Sequence, residues 1–228
     1  MPQLRRPSVV IFDVNETLLD LTTLKPLFAR LFDDPEVLRE FFPELILYSQ
    51  TLTLSGRYTA FGALAGGVLR MVGRNHGVDV ADADIDEMKE LLGKMPAHPD
   101  AAPGLARLRD AGFKLVTLTN SSPSPSLTPL EKAGLADFFQ RSFSVAEVEK
   151  YKPHPDTYRL VADELGTEPE EMCMVACHLW DTIGAQAAGC AGAFLKRPHN
   201  NIIEADGVPA PDIIASDMDD LADRLLAL

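Results

Sequence analysis

The chain has only three cysteines, Cys173, Cys177 and Cys190, among 228 residues. An odd and sparse set argues against a disulfide framework and favours a reducing compartment. Long apolar runs are also missing, since no segment approaches the roughly 20 apolar residues that a membrane-spanning helix needs. The stretch before Asp13 is too short for the apolar core of a signal peptide. We therefore predict a cytoplasmic protein with no membrane partner.

Positive charge is scarce as well. Lysine and arginine number 21 against 34 aspartates and glutamates, which gives a formal net charge of −13. This diffuse acidity argues against nucleic acid as a partner. It does not exclude a small anionic ligand, because a pocket can be locally positive. Hydrophobic residues make up 46% of the chain, enough for the core of one large domain or of a core with an inserted module.

Short β-rich runs alternate with helical patterns over most of the chain. The predicted strands are Ser8–Phe12, Phe113–Leu118, Arg141–Val145, Met172–Ala176, Ala193–Lys196 and Asp212–Ala215. The predicted helices among them are Leu127–Ala133, Pro155–Leu165, Thr182–Ala188 and Met218–Leu226. Such alternation is typical of an α/β protein with a doubly wound, Rossmann-like parallel sheet that carries helices on both faces.

One region breaks the alternation, because residues 22–96 contain no convincing strand. Its amphipathic patterns predict the helices Leu24–Leu31, Pro35–Leu54, Tyr58–His76 and Ala83–Lys94. We therefore predict a core formed by residues 1–21 and 97–228, with an inserted all-helical cap at 22–96. Because an open parallel sheet binds ligands beyond the carboxyl ends of its strands, a module inserted there would act as a lid.

Four polar groups directly follow predicted strands, and the same rule places them at one edge of the sheet. They are Asp13, the segment Thr119-Asn120-Ser121, Lys152 and Asp181. Taken singly, each has an ordinary explanation as a turn residue, a helix cap or a solvated lysine. Their order at four successive strand ends favours a site instead. A carboxylate beside an ammonium stays ionised and is a known covalent nucleophile.

The pattern resembles the haloacid dehalogenase superfamily along essentially the whole chain. The matching motifs are Phe12-Asp13-x-x-x-Thr17-Leu18, Leu118-Thr119-Asn120, Lys152-Pro153 with Tyr158 after it, and Trp180-Asp181-x-x-Gly184-Ala185. The last motif looks most like the type II 2-haloacid dehalogenase branch. The resemblance implies a hydrolase that converts a small 2-haloalkanoic acid, an anionic substrate, into a 2-hydroxy acid through an aspartyl ester. It implies no cofactor or metal, and it favours a homodimer.

The resemblance also implies roles for the matching residues. Asp13 would be the nucleophile, Lys152 would keep it ionised, and Thr17 would hydrogen-bond near it. Asp181 would orient Lys152 or help to activate water. The expected substrate-binding residues are Asn15, Phe42, Thr119, Asn120, Tyr158, His178 and Trp180.

The chain departs from the branch in three places. Phe42 stands where the branch has an arginine that receives the halide, and Arg39 lies one helical turn away. Ala176, Cys177 and His178 replace the usual serines and asparagine; His178 would orient the hydrolytic water or donate to the leaving group. Asn15 replaces an aromatic residue of the branch.

Two alternatives remain open. Most members of the superfamily are magnesium-dependent phosphatases, with a second aspartate where this chain has Asn15. An amide cannot donate and retrieve a proton at neutral pH, so a phosphatase built on this chain would have an impaired general acid. The other alternative is a ligand-binding relative without turnover.

Overall fold

The computed structural model describes residues 5–123 and 128–228. Its centre is a six-stranded, all-parallel sheet with the strand order β3-β2-β1-β4-β5-β6. The strands are β1 (Val9–Phe12), β2 (Lys114–Thr119), β3 (Arg141–Ser144), β4 (Met172–Ala176), β5 (Ala191–Leu195) and β6 (Ile213–Ala215). The predicted Rossmann-like α/β fold is confirmed, and every predicted strand overlaps an observed one.

The register of the central strands positions the site. Every residue of β1 and of β4 is buried, as expected for strands that are covered on both faces. Phe12, the last residue of β1, is level with Thr117 of β2 and Val175 of β4. The residues that follow these three strands therefore emerge side by side at one edge of the sheet.

Nine α-helices are described in residues 5–123 and 128–228. They are α1 (Lys25–Phe32), α2 (Leu38–Leu54), α3 (Phe61–Asn75), α4 (Asp82–Leu92), α5 (Ala101–Asp110), α6 (Pro129–Lys132), α7 (Pro155–Leu165), α8 (Leu179–Ala187) and α9 (Met218–Leu226). The sequence patterns predicted α7 and α9 with their bounds, and they missed α5. The predicted start of α6 at Leu127 lies outside the described residues. Within the described part of the chain, no helix combines the length and apolarity needed to cross a bilayer.

Helix α8 begins three residues earlier than predicted. The shift moves Asp181 into the first turn of the helix, and His178 becomes the N-cap residue, without a capping hydrogen bond from its side chain. Asp181 is therefore not the cap of α8, and the imidazole of His178 is directed elsewhere.

The four helices α1 to α4 come between β1 and α5, without a strand among them in the described chain. Phe42 and Ile46 of α2 and Phe61 of α3 line the same cavity as Asp13 at the end of β1. These helices form the cap over the carboxyl edge of the sheet. The boundaries 1–21, 22–96 and 97–228 stay a prediction.

Candidate active site

Asp13 directly follows β1, and its backbone N–H extends the sheet by donating to the carbonyl of Val175 at 3.0 Å. The chain then turns at once, since the N–H of Leu18 donates to the carbonyl of Val14 at 3.0 Å. This turn brings Thr17 back to Asp13, where Thr17 Oγ1 donates to Oδ2 at 2.6 Å. The same hydroxyl accepts a hydrogen bond of 3.1 Å from the N–H of Cys177 and so joins the ends of β1 and β4.

Lys152 is fully buried and approaches Asp13 from the chain after β3. Its ammonium donates to Asp13 Oδ1 at 2.8 Å, to Asp181 Oδ2 at 2.6 Å and to the carbonyl of Leu118 at 2.9 Å. An ammonium has three protons, so all of them are used. The backbone of Lys152 is held too, since its N–H donates to Asn120 Oδ1 at 3.1 Å.

This arrangement keeps the Asp13–Lys152 pair ionised. Burial by itself would raise the pKa of Asp13, but the Lys152 ammonium and the His178 imidazole outweigh it and hold that pKa well below its usual value. Burial would lower the pKa of Lys152, yet the carboxylates of Asp13 and Asp181 raise it. Asp13 is thus a buried carboxylate that stays charged at neutral pH.

Asp181 lies on the far side of Lys152 from Asp13. Its Oδ1 accepts a hydrogen bond of 2.6 Å from the Tyr158 hydroxyl, while Oδ2 accepts from Lys152. Burial raises the pKa of Asp181, an effect that Lys152 opposes and the charge of Asp13 reinforces. Tyr158 is fully buried behind Asp181 and is not among the residues that line the cavity at Asp13. In this structure its hydroxyl supports Asp181.

A second set of charged groups meets Asp13 from the other side. His178 Nδ1 lies 3.4 Å from Asp13 Oδ2, and His178 Nε2 lies 2.9 Å from Glu16 Oε2. The other oxygen of Glu16 accepts a hydrogen bond from the guanidinium of Arg39. Burial would lower the pKa of His178, but the Cys177 sulfur and hydrogen bonds to Asp13 and Glu16 raise it well above its usual value.

A small cavity lies directly over Asp13. Its walls combine apolar side chains with polar groups, as small-molecule sites do. The lining residues are Asp13, Asn15, Phe42, Ile46, Phe61, Thr119, Asn120, His178 and Trp180. Trp180 stacks on His178 with ring centroids 5.1 Å apart, and Phe42 lies against the same imidazole at 5.7 Å.

The comparisons with known proteins agree with this geometry. A family model described as haloacid dehalogenase-like hydrolase matches residues 7–189. The (S)-2-haloacid dehalogenase 1 of Pseudomonas sp. (strain CBS-3) is 32% identical over 193 residues, which cover 82% of this chain and 83% of that protein.

This chain belongs to the haloacid dehalogenase-like hydrolases.

The solved structures support the same family. An L-2-haloacid dehalogenase from Xanthobacter autotrophicus, with chloropropionic acid covalently bound, matches with a TM-score of 0.86 at 25% identity. That match covers 97% of this chain and 98% of the other. Phosphoglycolate phosphatase from Salmonella paratyphi A is 35% identical over 128 residues, but these cover only 56% of this chain and 50% of the phosphatase.

Within this haloacid dehalogenase-like fold, the structure places the residues named from the sequence in two groups. In the first group, a chain of contacts runs from Thr17 to Asp13, then to Lys152 and Asp181. Tyr158 contacts Asp181 at the far end of this chain. The cavity is lined by the others, namely Asn15, Phe42, Thr119, Asn120, His178 and Trp180. Two of them also make polar contacts at the cavity edge: Asn15 Nδ2 donates to Ser121 Oγ at 3.3 Å, and Thr119 Oγ1 accepts from the N–H of Ser121 at 3.1 Å.

Sequence reasoning missed Glu16 and left open whether Arg39 reaches the cavity. Arg39 is absent from the cavity lining and pairs with Glu16 instead. The one signal in the sequence was a glutamate three residues after the nucleophile position. The structure adds that Glu16 has a φ of +68°, a conformation that residues with side chains rarely adopt.

Two groups of residues in the site contain the atom types that bind metal ions. Between Asp13 and Asp181 the Lys152 ammonium already bridges the carboxylates, and both oxygens of Asp181 accept hydrogen bonds, so these residues do not fit a magnesium ion there. Glu16, Cys177 and His178 also come close enough together to share an ion. The Arg39 cation already neutralises Glu16, which removes the need for a metal at that point.

Proposed function

We propose that this protein is a 2-haloacid dehalogenase, which hydrolyses the carbon–halogen bond of a small 2-haloalkanoic acid. The observation that carries the proposal is the ionised, buried Asp13 at the floor of a small cavity that combines apolar and polar side chains. A carboxylate stripped of water and held by directed donors is a positioned nucleophile. The relative from Xanthobacter autotrophicus, which holds chloropropionic acid covalently, supports the same reaction here.

The first step is an in-line displacement at C2 of the substrate. An oxygen of Asp13 forms a bond to C2, and the halide leaves with the electron pair of the broken carbon–halogen bond. Lys152 and Thr17 fix the carboxylate through the 2.8 Å and 2.6 Å contacts. Thr119 and Asn120 at the cavity edge bind the carboxylate of the substrate or orient the groups around it.

The second step hydrolyses the ester. Water attacks the carboxyl carbon of Asp13, the original carboxylate is restored, and the products are a 2-hydroxy acid and one proton. Lys152 stabilises the negative charge that develops on the attacked carboxyl group. Asp181 orients Lys152 for this role through the 2.6 Å contact with its ammonium.

Asn15 decides between halide and phosphate as leaving group. Phosphate-ester hydrolysis needs an acid to protonate the departing oxygen, and the amide of Asn15 cannot give up and retrieve a proton at neutral pH. A halide leaves as a stable anion and needs neither an acid nor a metal. We therefore propose that the enzyme works without a cofactor. The partial likeness to a phosphoglycolate phosphatase keeps phosphatase activity as the competing outcome.

The test is a single turnover in oxygen-18 water with excess enzyme over 2-chloropropionate, followed by mass analysis of the peptide that contains Asp13. We expect one label in Asp13, chloride release by ion chromatography, and no effect of exhaustive EDTA treatment. The Asp13→Asn variant, matched in shape, should release no halide. Magnesium-dependent phosphate release from an aryl phosphate, without halide release from any 2-haloacid, would replace this proposal with the phosphatase.

A further inference from the structure

The cavity over Asp13 has one side chain that can supply positive charge to a bound anion. Among the described residues that line it, His178 alone can be a cation. The nearby Lys152 ammonium already has three acceptors and is not among the lining residues. An anion formed in this cavity would thus find its counter-charge at His178.

The position of His178 between two carboxylates favours its charged form. Its Nε2 faces Glu16 at 2.9 Å and its Nδ1 faces Asp13 at 3.4 Å. A neutral imidazole donates from only one nitrogen, whereas an imidazolium donates from both. The titratable groups that face it are Asp13 from the end of β1, Glu16 from the following turn, and Cys177 from the end of β4.

The two ring nitrogens of His178 differ in how strongly each is already hydrogen-bonded. The contact of Nε2 with Glu16 is an ordinary charge-assisted hydrogen bond. The 3.4 Å separation at Nδ1 is longer than the roughly 2.7–2.9 Å of such a bond. The Nδ1–H group is therefore held only weakly by Asp13 and can turn to an anion in the cavity that both residues line, where the halide leaves on the side of C2 away from the attacking oxygen.

Glu16 is held in place at a cost, which indicates that its position matters. Its φ of +68° is a left-handed conformation that is unfavourable for a residue with a side chain. Its carboxylate is buried, and both oxygens are occupied, one by His178 and the other by Arg39 of α2. Glu16 thus fixes the ring of His178 and balances its charge, while Arg39 fixes Glu16.

We propose that His178, positioned by Glu16 and Arg39, is the leaving-group acceptor of this enzyme. The inference rests on the proposed dehalogenase function and extends it. When Asp13 bonds to C2, the halide takes the electron pair of the broken bond and accepts a hydrogen bond from His178 Nδ1–H. The proton stays on the ring, and the halide departs as an anion. Glu16 and Arg39 are positioning residues.

A route away from the site is also present. The small cavity shares part of its wall with a larger cleft of about 1,350 Å³. The residues that line both are Phe42, Ile46, His178 and Trp180. That cleft reaches the surface at Leu47 and Ile203, which are 53% and 61% exposed. A halide that has accepted a hydrogen bond from His178 is therefore next to the wall that separates the site from this cleft.

The first test measures halide release in single turnovers with 2-fluoro-, 2-chloro- and 2-bromopropionate, before ester hydrolysis can limit the rate. Fluoride is the poorest leaving group and the strongest hydrogen-bond acceptor of the three. Removing one preorganised donor to a developing anion costs about 100- to 1,000-fold. We expect His178→Leu, which has no donor and no charge, to slow fluoride release by about 100-fold or more, and bromide release by about tenfold or less. His76→Asn, which removes a cap histidine paired with Glu40, should change none of the three.

An equal loss for all three halides would overturn the proposal, because His178 would then act on the carboxylate that the substrates share. No loss would overturn it as well. His178→Gln, whose amide takes the place of Nε2 beside Glu16 and not of Nδ1, replaces His178→Leu if urea denaturation shows that the latter does not fold. Glu16→Gln, which keeps the shape but removes the charge, should lower kcat for the fluoro acid with little change in KM and should shift the alkaline limb of its pH profile to lower pH.

The second test does not depend on turnover. Trp180 is the single tryptophan of the chain and stacks on His178, so its fluorescence reports on anions bound at that ring. Chloride and bromide should give saturable changes in the wild type that are lost in His178→Leu and kept in His76→Asn. If no 2-haloacid is turned over but this signal is seen, the dehalogenase proposal fails and the anion site stands. Absence of the signal in the wild type, or its persistence in His178→Leu, would overturn the inference.

Discussion

The ammonium of Lys152 lies 2.8 Å from Asp13 Oδ1, and both side chains are buried at the carboxyl edge of the sheet. Because Asp181 takes a second proton of the same ammonium at 2.6 Å, one cation serves two carboxylates. His178 adds a further donor to Asp13, and its own charge is balanced by Glu16. Charges of alternating sign thus run through the centre of the site, and the consequences can be measured.

Lys152→Met should destabilise the fold and abolish halide release. Removing one partner of a buried ion pair leaves an uncompensated charge and costs about 3–5 kcal/mol in the free energy of unfolding. Urea denaturation at pH 7 measures that change. The double variant Asp13→Asn/Lys152→Met should recover a large part of the loss. A double variant as unstable as the sum of the two single variants would contradict a coupled pair.

Thr17→Val should lower both stability and the rate of the first step. The substitution keeps the shape but removes the 2.6 Å hydrogen bond to the Asp13 carboxylate and leaves the Cys177 N–H without its acceptor. Hydrogen bonds to charged groups are worth about 1.5–3 kcal/mol, which corresponds to roughly tenfold or more in rate. Thr17→Ser retains the hydroxyl and should stay close to the wild type. The pair is compared by single-turnover halide release and by urea denaturation.

Gly184→Ala should lower the free energy of unfolding, although a glycine-to-alanine change within a helix usually raises it. An added Cβ would lie 2.3 Å from Pro153 Cβ and 2.7 Å from the Tyr158 hydroxyl, so α8 would have to shift and would carry Asp181 away from Lys152. Such overpacking costs about 1–3 kcal/mol. Gly67→Ala is the matched control, because its new Cβ meets nothing within 4 Å in the exposed face of α3. That variant should gain up to about 1 kcal/mol.

His178→Asn should lose stability in a way that depends on pH. The pKa of His178 is raised in the folded protein, so its contribution is fully present below the ordinary histidine pKa of about 6.5. The contribution disappears as the pH rises through the raised pKa of the folded state. The difference in unfolding free energy between wild type and variant should therefore be largest near pH 6 and shrink at higher pH. Urea denaturation from pH 5.5 to 9.5 measures it, and a difference that grows with pH would contradict a charged His178.

Much of the framework could be predicted from the sequence. Buried parallel strands require continuous apolar runs, so segments such as Val9–Phe12 and Met172–Ala176 stand out from the helical patterns between them. Because all carboxyl ends of parallel strands share one edge, the residue after each run locates the site as well. Asp13, Lys152 and Asp181 were expected together for that reason, and the structure brings them into contact.

Some elements escaped prediction for local reasons. Helix α5 was missed, and α8 begins at Leu179, so that His178 is the N-cap residue and Asp181 lies in the first turn. Tyr158 was expected at the substrate, yet its hydroxyl reaches Asp181 from behind. A helical position gives the face on which a side chain lies, but not which of two nearby groups it contacts.

The sequence by itself determined the α/β order, the helical insertion after the first strand and the strand-end residues, because periodicity and strand polarity are local properties of the chain. Only the tertiary structure decided the contact of Glu16 with His178 and Arg39. These residues come from a turn, the end of β4 and helix α2, and no spacing along the chain relates them. Their contact, and the burial that makes it strong, exist only once the cap has closed over the sheet.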